Sequence, residues 1–212
     1  MTNTLKVITT VVGDYGVNCY IVFSPSDNIA VIIDPGADGK RLIEKINAEG
    51  LQVKYILNTH CHADHIGGVK TVVEEFKVPF AHSEKENPLL ESQYNKDLVA
   101  FLGQTMPPNA DLYLDETSRL DVSDNIKLEI IETPGHTPGG LCFLFNEKHL
   151  FTGDSLFRQS IGRTDFPLSN HNDLIASLRT KVLTLSDDVI VYPGHEATST
   201  IGFEKNNNPF LR

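Results

Sequence analysis

Apolar positions in the first third of the chain come in short runs. Leu5–Val12 (LKVITTVV) is rich in β-branched residues. Asn18–Ser24 (NCYIVFS) follows a turn marked by Gly13 and Gly16, and Ile29–Asp34 (IAVIID) follows a turn of Pro, Asp and Asn. Runs this short, bounded by turn residues, predict consecutive antiparallel strands. The period then lengthens. In GKRLIEKINAEG, Leu42, Ile43 and Ile46 share one side and Gly50 marks the stop, which predicts a helix. Val53–Asn58 (VKYILN) reads as a buried strand and Ile66–Phe76 (IGGVKTVVEEF) as the helix after it. His82–Gly103 reads as largely helical, with Ser83 as a cap and Pro88 as an interruption. Strands resume at Ile126–Glu132, Leu141–Phe145 and His149–Thr152. NHNDLIASLRTKVLTL predicts a capped amphipathic helix with Leu174, Leu178, Val182 and Leu185 facing inward. DVIVYPGH predicts a last strand ending in His195. No repeat of fixed period stands out and no linker divides the chain. The expectation is one α/β domain over residues 1–212, with mixed sheets and outer helices.

Composition narrows what such a domain does. At 40% hydrophobic residues the chain can bury a sizeable core. Acidic residues number 28 against 18 basic ones, a net charge of −10, and no Lys/Arg run occurs. That balance argues against nucleic acid and against anionic membranes as partners, and it is compatible with divalent cations. Cys19, Cys61 and Cys142 are scattered and form no C-x-x-C, so neither a disulfide framework nor a thiolate zinc knuckle is supported. No signal peptide is visible, and no apolar run approaches the roughly 20 residues of a membrane helix. A cytoplasmic protein is the expectation.

The histidines carry the chemistry. The chain has 8, and three of them fall with an aspartate inside NTHCHADHIGG, Asn58 to Gly68. His60 and His62 sit two apart. At a strand end, side chains at i and i+2 point the same way, so both imidazoles can reach one ion. Asp64 and His65 fall where the chain turns into the next helix and point elsewhere, which suits two ions rather than one. Further donors follow other predicted strands: His136 in ETPGHTPGG, Asp154 in LFTGDSLF and His195 in IVYPGHE. Each has glycine immediately before it, allowing a tight turn and close backbone approach. Four strand ends are therefore expected to converge on one edge. Cys61, between two donors, points away by strand alternation and reads as a small buried filler. His82, His149 and His171 lack this setting and are expected to be exposed, His171 near a helix start.

THCHADH, PGHTPG, GDSLF and PGHE, with the opening NCYIV and IIDPGAD, resemble the metallo-β-lactamase fold hydrolases. GDSLFRQSIGRTDFP and the tail GHEATSTIGFEKNNNPFL resemble the glyoxalase II-like branch, in its short bacterial form. The resemblance implies an αβ/βα four-layer sandwich of two mixed β-sheets with outer helices and a metal site at the sheet edges. It assigns His60, His62 and His136 to one ion, Asp64, His65 and His195 to another, and Asp154 to a bridge between them. It makes Asp34, in IIDPG, a carboxylate that steadies a ligand histidine, against the simpler reading of an Asp-Pro turn.

Imidazole and carboxylate donors suit zinc, iron or manganese, and two zinc ions are the first expectation. A water between two dications ionises near neutral pH, since even one Zn²⁺ lowers its pKa to about 7. Asp64 can orient that nucleophile while binding its ion, and Asp154 completes the catalytic pair. Such a site hydrolyses esters, thioesters or amides. A thioester is favoured, because a thiolate leaves without a strong general acid and none stands near the donors. The branch implies a small-molecule thioester of the S-(2-hydroxyacyl)glutathione type. Full-length enzymes of that branch grip glutathione with a C-terminal helical segment, whereas here only the short stretch Glu196–Arg212 follows His195. Arg158 and Arg163 are the cations best placed for a substrate carboxylate, although Arg163 can instead pair with Asp165. Tyr94 or Lys96 can wall the cleft. Competing readings are a persulfide dioxygenase with one Fe(II) on His60, His136 and Asp154, a lactonase or β-lactamase, and a non-catalytic metal binder. The sequence is silent on oligomeric state.

Overall fold

The computed structural model describes residues 4–212; Met1–Asn3 of the expected domain lie outside them. Three short apolar runs become the antiparallel strands β1 (Lys6–Val12), β2 (Val17–Phe23) and β3 (Ile29–Ile33). The chain then crosses over through α1 (Gly39–Ala48) to β4 (Gln52–Leu57), which lies parallel to β3. Leu42 and Ile46 of α1 are fully buried, as the helical period requires. Next come α2 (Ala63–Ile66), α3 (Val69–Phe76) and β5 (Phe80–His82), then α4 (Asn87–Glu91), α5 (Gln93–Phe101) and β6 (Leu112–Tyr113). The first sheet has the order β1-β2-β3-β4-β5-β6.

The second half supplies β7 (Leu128–Glu132), β8 (Leu141–Phe145) and β9 (His149–Gly153), a small hairpin of β10 (Leu156–Phe157) and β11 (Ser160–Ile161), then α6 (His171–Ser177). It ends with β12 (Ile190–Pro193), β13 (Ser199–Thr200) and α7 (Ile201–Asn207). The second sheet runs β13-β12-β9-β8-β7, with β12 parallel to β9 and the other pairs antiparallel.

Burial explains the layering. All seven residues of β2 are buried. Its period-two alternation sends Cys19, Ile21 and Phe23 to one core under α1 and α3, and Tyr20 and Val22 to another between the sheets. The inter-sheet core is completed by Ile130, Phe143 and Phe151, and a third core packs α6 against the outer face of the second sheet. The result is the expected four-layer αβ/βα sandwich. Among the described residues no helix is long and apolar enough to cross a membrane.

Three expectations need correction. The helix predicted over Ile66–Phe76 is two helices, because the Gly68 N–H leaves the helical pattern to bond Pro35 O at 2.9 Å. Pro88 does not interrupt a helix; it occupies the first turn of α4, where a missing N–H costs nothing. Leu174, Leu178 and Val182 are fully buried as predicted, but α6 widens into a π turn at Leu178–Val182, so Leu185 lies beyond the helix and only partly buried. Ser83 does cap, accepting the Lys85 N–H, although it caps a 3₁₀ turn (Glu84–Glu86) rather than a long helix.

The β3–α1 loop lies directly against α2, and Gly36 is the contact. A Cβ there would stand 1.8 Å from the Asp64 carbonyl oxygen. Gly36→Ala should therefore lower stability by about 3 kcal/mol, at the upper end for overpacking, seen as a lower urea midpoint with an unchanged slope.

Candidate metal centre

Four strands of two sheets stop at one place. After β4 the chain delivers His60 and His62, and α2 carries Asp64 and His65. His136 follows β7, Asp154 follows β9 and His195 follows β12. The preceding glycines are needed where they stand: Gly135 has φ +138°, and a Cβ on Gly194 would lie 2.2 Å from Asp154 Oδ1.

All seven predicted donors come together. The rings of His60, His62 and His136 are 4.7–5.0 Å apart between centroids, and one donor atom from each lies within 4.8 Å of the others. Asp64, His65 and His195 form a second such group. Its His195 Nε2 is 3.3 Å from Asp64 Oδ2. Asp154 stands between the groups, Oδ1 at 3.3 Å from His65 Nε2 and Oδ2 at 3.6 Å from both His136 Nε2 and His195 Nε2.

The imidazoles are aimed from behind. Asp34 is 2% exposed and accepts three hydrogen bonds: from Thr59 N at 2.7 Å, Thr59 Oγ1 at 2.6 Å and His65 Nδ1 at 3.0 Å. Because the Thr59 hydroxyl donates to Asp34, its oxygen accepts from His60 Nδ1, 3.1 Å away. His136 Nδ1 donates to Arg163 O at 2.7 Å. In each case the engaged Nδ1 turns Nε2 toward the centre, where His136 Nε2 lies 3.0 Å from His62 Nδ1. Asp34 also falls near His60 and His65 in a third possible donor group, but its oxygens are engaged by these donors.

Electrostatics favour a cation. Burial drives His60 well below the ordinary imidazole range and His62 down to about 3, with neighbouring imidazoles adding to both effects. Burial opposes ionisation of Asp154, but the imidazoles of His65, His60 and His136 outweigh it and hold the carboxyl well below its usual value. His65 goes the other way: burial lowers it, and the carboxylates of Asp154, Asp64 and Asp34 together raise it well above normal. His60 Nε2, His65 Nε2 and Asp154 Oδ1 are buried without a hydrogen-bond partner. Buried polar atoms are seldom left so. Imidazoles that burial keeps neutral at His60 and His62, beside the ionised carboxylate of Asp154 in one small volume, fit divalent cations.

His62, Asp64, His136, Asp154 and His195 floor a cleft of about 780 Å³ walled by Tyr15, Tyr94, Leu98, Phe157, Arg163 and Phe166. Tyr94 takes the predicted wall position, while Lys96 points elsewhere and donates to Glu91 O. Arg163 is exposed, pairs with Asp165 at 2.8 Å and lies 4.4 Å over the Phe166 ring. Arg158 is corrected: the hairpin turns it away from the cleft, over the Phe203 ring at 5.0 Å. His82 is also corrected, being 1% exposed with Nδ1 on Ser83 O. His149 is half-buried against Tyr192, and only His171 is exposed, at the start of α6 as expected. Cys61 is fully buried. Sequence reasoning missed Tyr15, Phe157 and Phe166 as walls and Glu86 and Asn95 beneath the histidine loop; no local spacing marks any of them.

A sandwich of two mixed sheets with a His/Asp centre at its strand ends defines a metallo-hydrolase. Residues 12–195 match the family model described as the metallo-beta-lactamase superfamily, and the chain belongs to that superfamily. It is 40% identical to the hydroxyacylglutathione hydrolase GloC of Haemophilus influenzae, over 92% of each chain. It is 34% identical to the probable metallo-hydrolase YqgX of Bacillus subtilis, over 94% of each. Among solved structures it is similar to the BLEG-1 B3 metallo-beta-lactamase, with a TM-score of 0.88 and 36% identity over 98% of this chain and 99% of that one. A protein crystallised in a di-iron-bound form, TTHA1623, superposes with a TM-score of 0.85 at 33% identity, over 97% and 100%.

Asp34→Ala leaves three buried donors without an acceptor. At about 1 kcal/mol or more each, the metal-free variant should lose about 3 kcal/mol in chemical denaturation. An unchanged midpoint would show that the Asp34 contacts carry no weight.

Proposed function

We propose that the chain is a dinuclear metal-dependent hydrolase that cleaves a thioester of the S-(2-hydroxyacyl)glutathione type in the cytoplasm. The observation that carries this reading is the pair of three-donor groups flanking Asp154 on the floor of an open cleft. The likeness to the Haemophilus influenzae hydroxyacylglutathione hydrolase supports the choice of substrate.

In this reading His60, His62 and His136 hold one cation, Asp64, His65 and His195 the other, and Asp154 faces both. When bound, two divalent cations, zinc in the first instance, supply Lewis acidity and make water acidic enough to ionise near neutral pH. The chain's own residues do the rest. Asp64 accepts a hydrogen bond from the attacking water and fixes its direction. Phe157, Phe166 and Tyr94 keep bulk water from the acyl group, which strengthens each polar contact inside the cleft. Arg163 meets a substrate carboxylate by exchanging its exposed partner Asp165 for the ligand, since such a pair contributes little in water. No side chain is needed to protonate the departing thiolate.

A second reading, hydrolysis of a β-lactam, is favoured by the likeness to the B3 metallo-beta-lactamase. Its leaving nitrogen needs a proton, and the lining offers no neutral acid for it beyond the Tyr15 and Tyr94 phenols and the Ser160 hydroxyl. Thiol release from S-lactoylglutathione, run beside penicillin hydrolysis on the metal-loaded protein, separates the two. Faster turnover of the thioester is expected; faster turnover of penicillin would replace the first reading with the second. His136→Ala should abolish turnover while the far-ultraviolet circular dichroism stays native, and near-normal rates in that variant would refute the donor assignment.

A further inference from the structure

His60 and His62 are joined through Cys61, so the angle between their side chains depends on how the two peptides that flank Cys61 are set. Both flanking peptides are held from outside. Glu86, fully buried in the 3₁₀ turn before α4, accepts the Cys61 N–H on Oε2 at 2.8 Å. Asn95, fully buried on α5, donates Nδ2 to the Cys61 carbonyl at 2.9 Å. Asn58 Nδ2 donates to the carbonyl of His65 at 2.8 Å and reaches that of His60 at 3.4 Å, the latter on the same peptide that Glu86 grips. One group on each peptide is thus held, which restrains the backbone on both sides of Cys61.

Glu86 has a second hold. Its Oε1 accepts the Gly139 N–H at 2.7 Å, three residues beyond His136 in the loop between β7 and β8. Gly139 has no room for a side chain: a Cβ would meet Glu86 Cγ and Oε1 at 2.9 Å. One carboxylate therefore ties the loop of His60 and His62 to the loop of His136. No residue of the other donor group, Asp64, His65 or His195, is bonded by Glu86 or Asn95. Glu86 has no cationic partner among its contacts; burial pushes its carboxyl up, and the Thr137 side chain and the Cys61 and Gly139 N–H groups oppose that.

We propose that Glu86 and Asn95 are positioning residues that aim His60, His62 and His136 at a single cation, and that they act on this group rather than on the Asp64, His65 and His195 group. The inference rests on the two-cation reading above. It also gives the helical stretch from Glu84 to Phe101 a role beyond walling the cleft. Residues that orient metal ligands typically change metal affinity by about 10- to 100-fold when removed. Glu86→Gln keeps the shape but replaces one acceptor oxygen with an N–H donor, facing either Cys61 or Gly139.

The test is a competition titration of metal-free protein with Zn²⁺ and Co²⁺ against a chromophoric chelator. The wild-type chain should take up two ions. In Glu86→Gln one ion should bind about 10- to 100-fold more weakly, with a changed Co²⁺ absorption spectrum, and the other should bind as in wild type. Two unchanged affinities would overturn the proposal, as would equal weakening of both ions, the mark of a general loosening. Should Glu86→Gln fail to fold, Asn95→Ala decides: it should weaken the same single ion, and unchanged or equally lowered affinities would overturn the inference. A wild-type chain that binds no ion would defeat the metal reading itself, a different outcome from either.

Discussion

The structure turns on hydrogen bonds that cross from one sheet to the other at the end where the strands stop. Leu141 N of β8 bonds Thr59 O at 2.8 Å, next to His60. Asn18 of β2 donates Nδ2 to the carbonyls of Pro193 and Glu196, on either side of His195, and its N–H to Gly194 O at 2.7 Å. Tyr20 OH donates to Pro193 O at 2.6 Å. Neither half of the chain completes either three-residue donor group. His60, His62, Asp64 and His65 come with the first sheet, and His136, Asp154 and His195 with the second. The inter-sheet core supplies the driving force for bringing the halves together, but apolar contact is non-directional. The cross-sheet bonds are what set the register of one donor set against the other.

That arrangement concentrates a cost. Five imidazoles and two carboxylates occupy a volume in which several of their atoms find no protein partner. Desolvated polar groups of this kind destabilise a fold by a few kcal/mol in total unless something pairs with them. The surrounding carboxylates raise the proton affinity of His65 while burial strips protons from His60 and His62. Protons alone therefore satisfy only part of the cluster. Cations satisfy all of it at once, which couples their binding to the stability of the packed sheets.

Legibility in the sequence followed the range of the interaction. The donors could be found because each is a local event: an apolar run, a glycine, then His or Asp. Strand alternation was enough to separate His60 and His62 from Cys61. Asp34 stood out only through resemblance, since IIDPG alone does not distinguish a turn from a carboxylate gripping Thr59 and His65. Glu86 and Asn95 left no trace, because their partners lie 25 and 34 residues away and their neighbours are ordinary surface residues. His82 misled for a related reason: lacking the strand-then-glycine setting, it was assigned to the surface, although β5 is a fully buried strand. Arg158 and Arg163 are five residues apart, and only the hairpin between β9 and α6 decides that one faces the cleft and the other faces α7.

Arg163 shows how closely binding and site geometry are joined. Its carbonyl accepts the His136 Nδ1 proton while its guanidinium lies at the rim, over Phe166 and against Asp165. The same residue thus orients a donor on the floor and offers the cleft lining its basic side chain. A substituted side chain at 163 alters only the rim contact, because the carbonyl belongs to the backbone. A displaced Gly162–Phe166 loop alters both. The exposed Asp165 pair holds the guanidinium with little energy, so the side chain can exchange partners without moving the loop, and His136 keeps its direction.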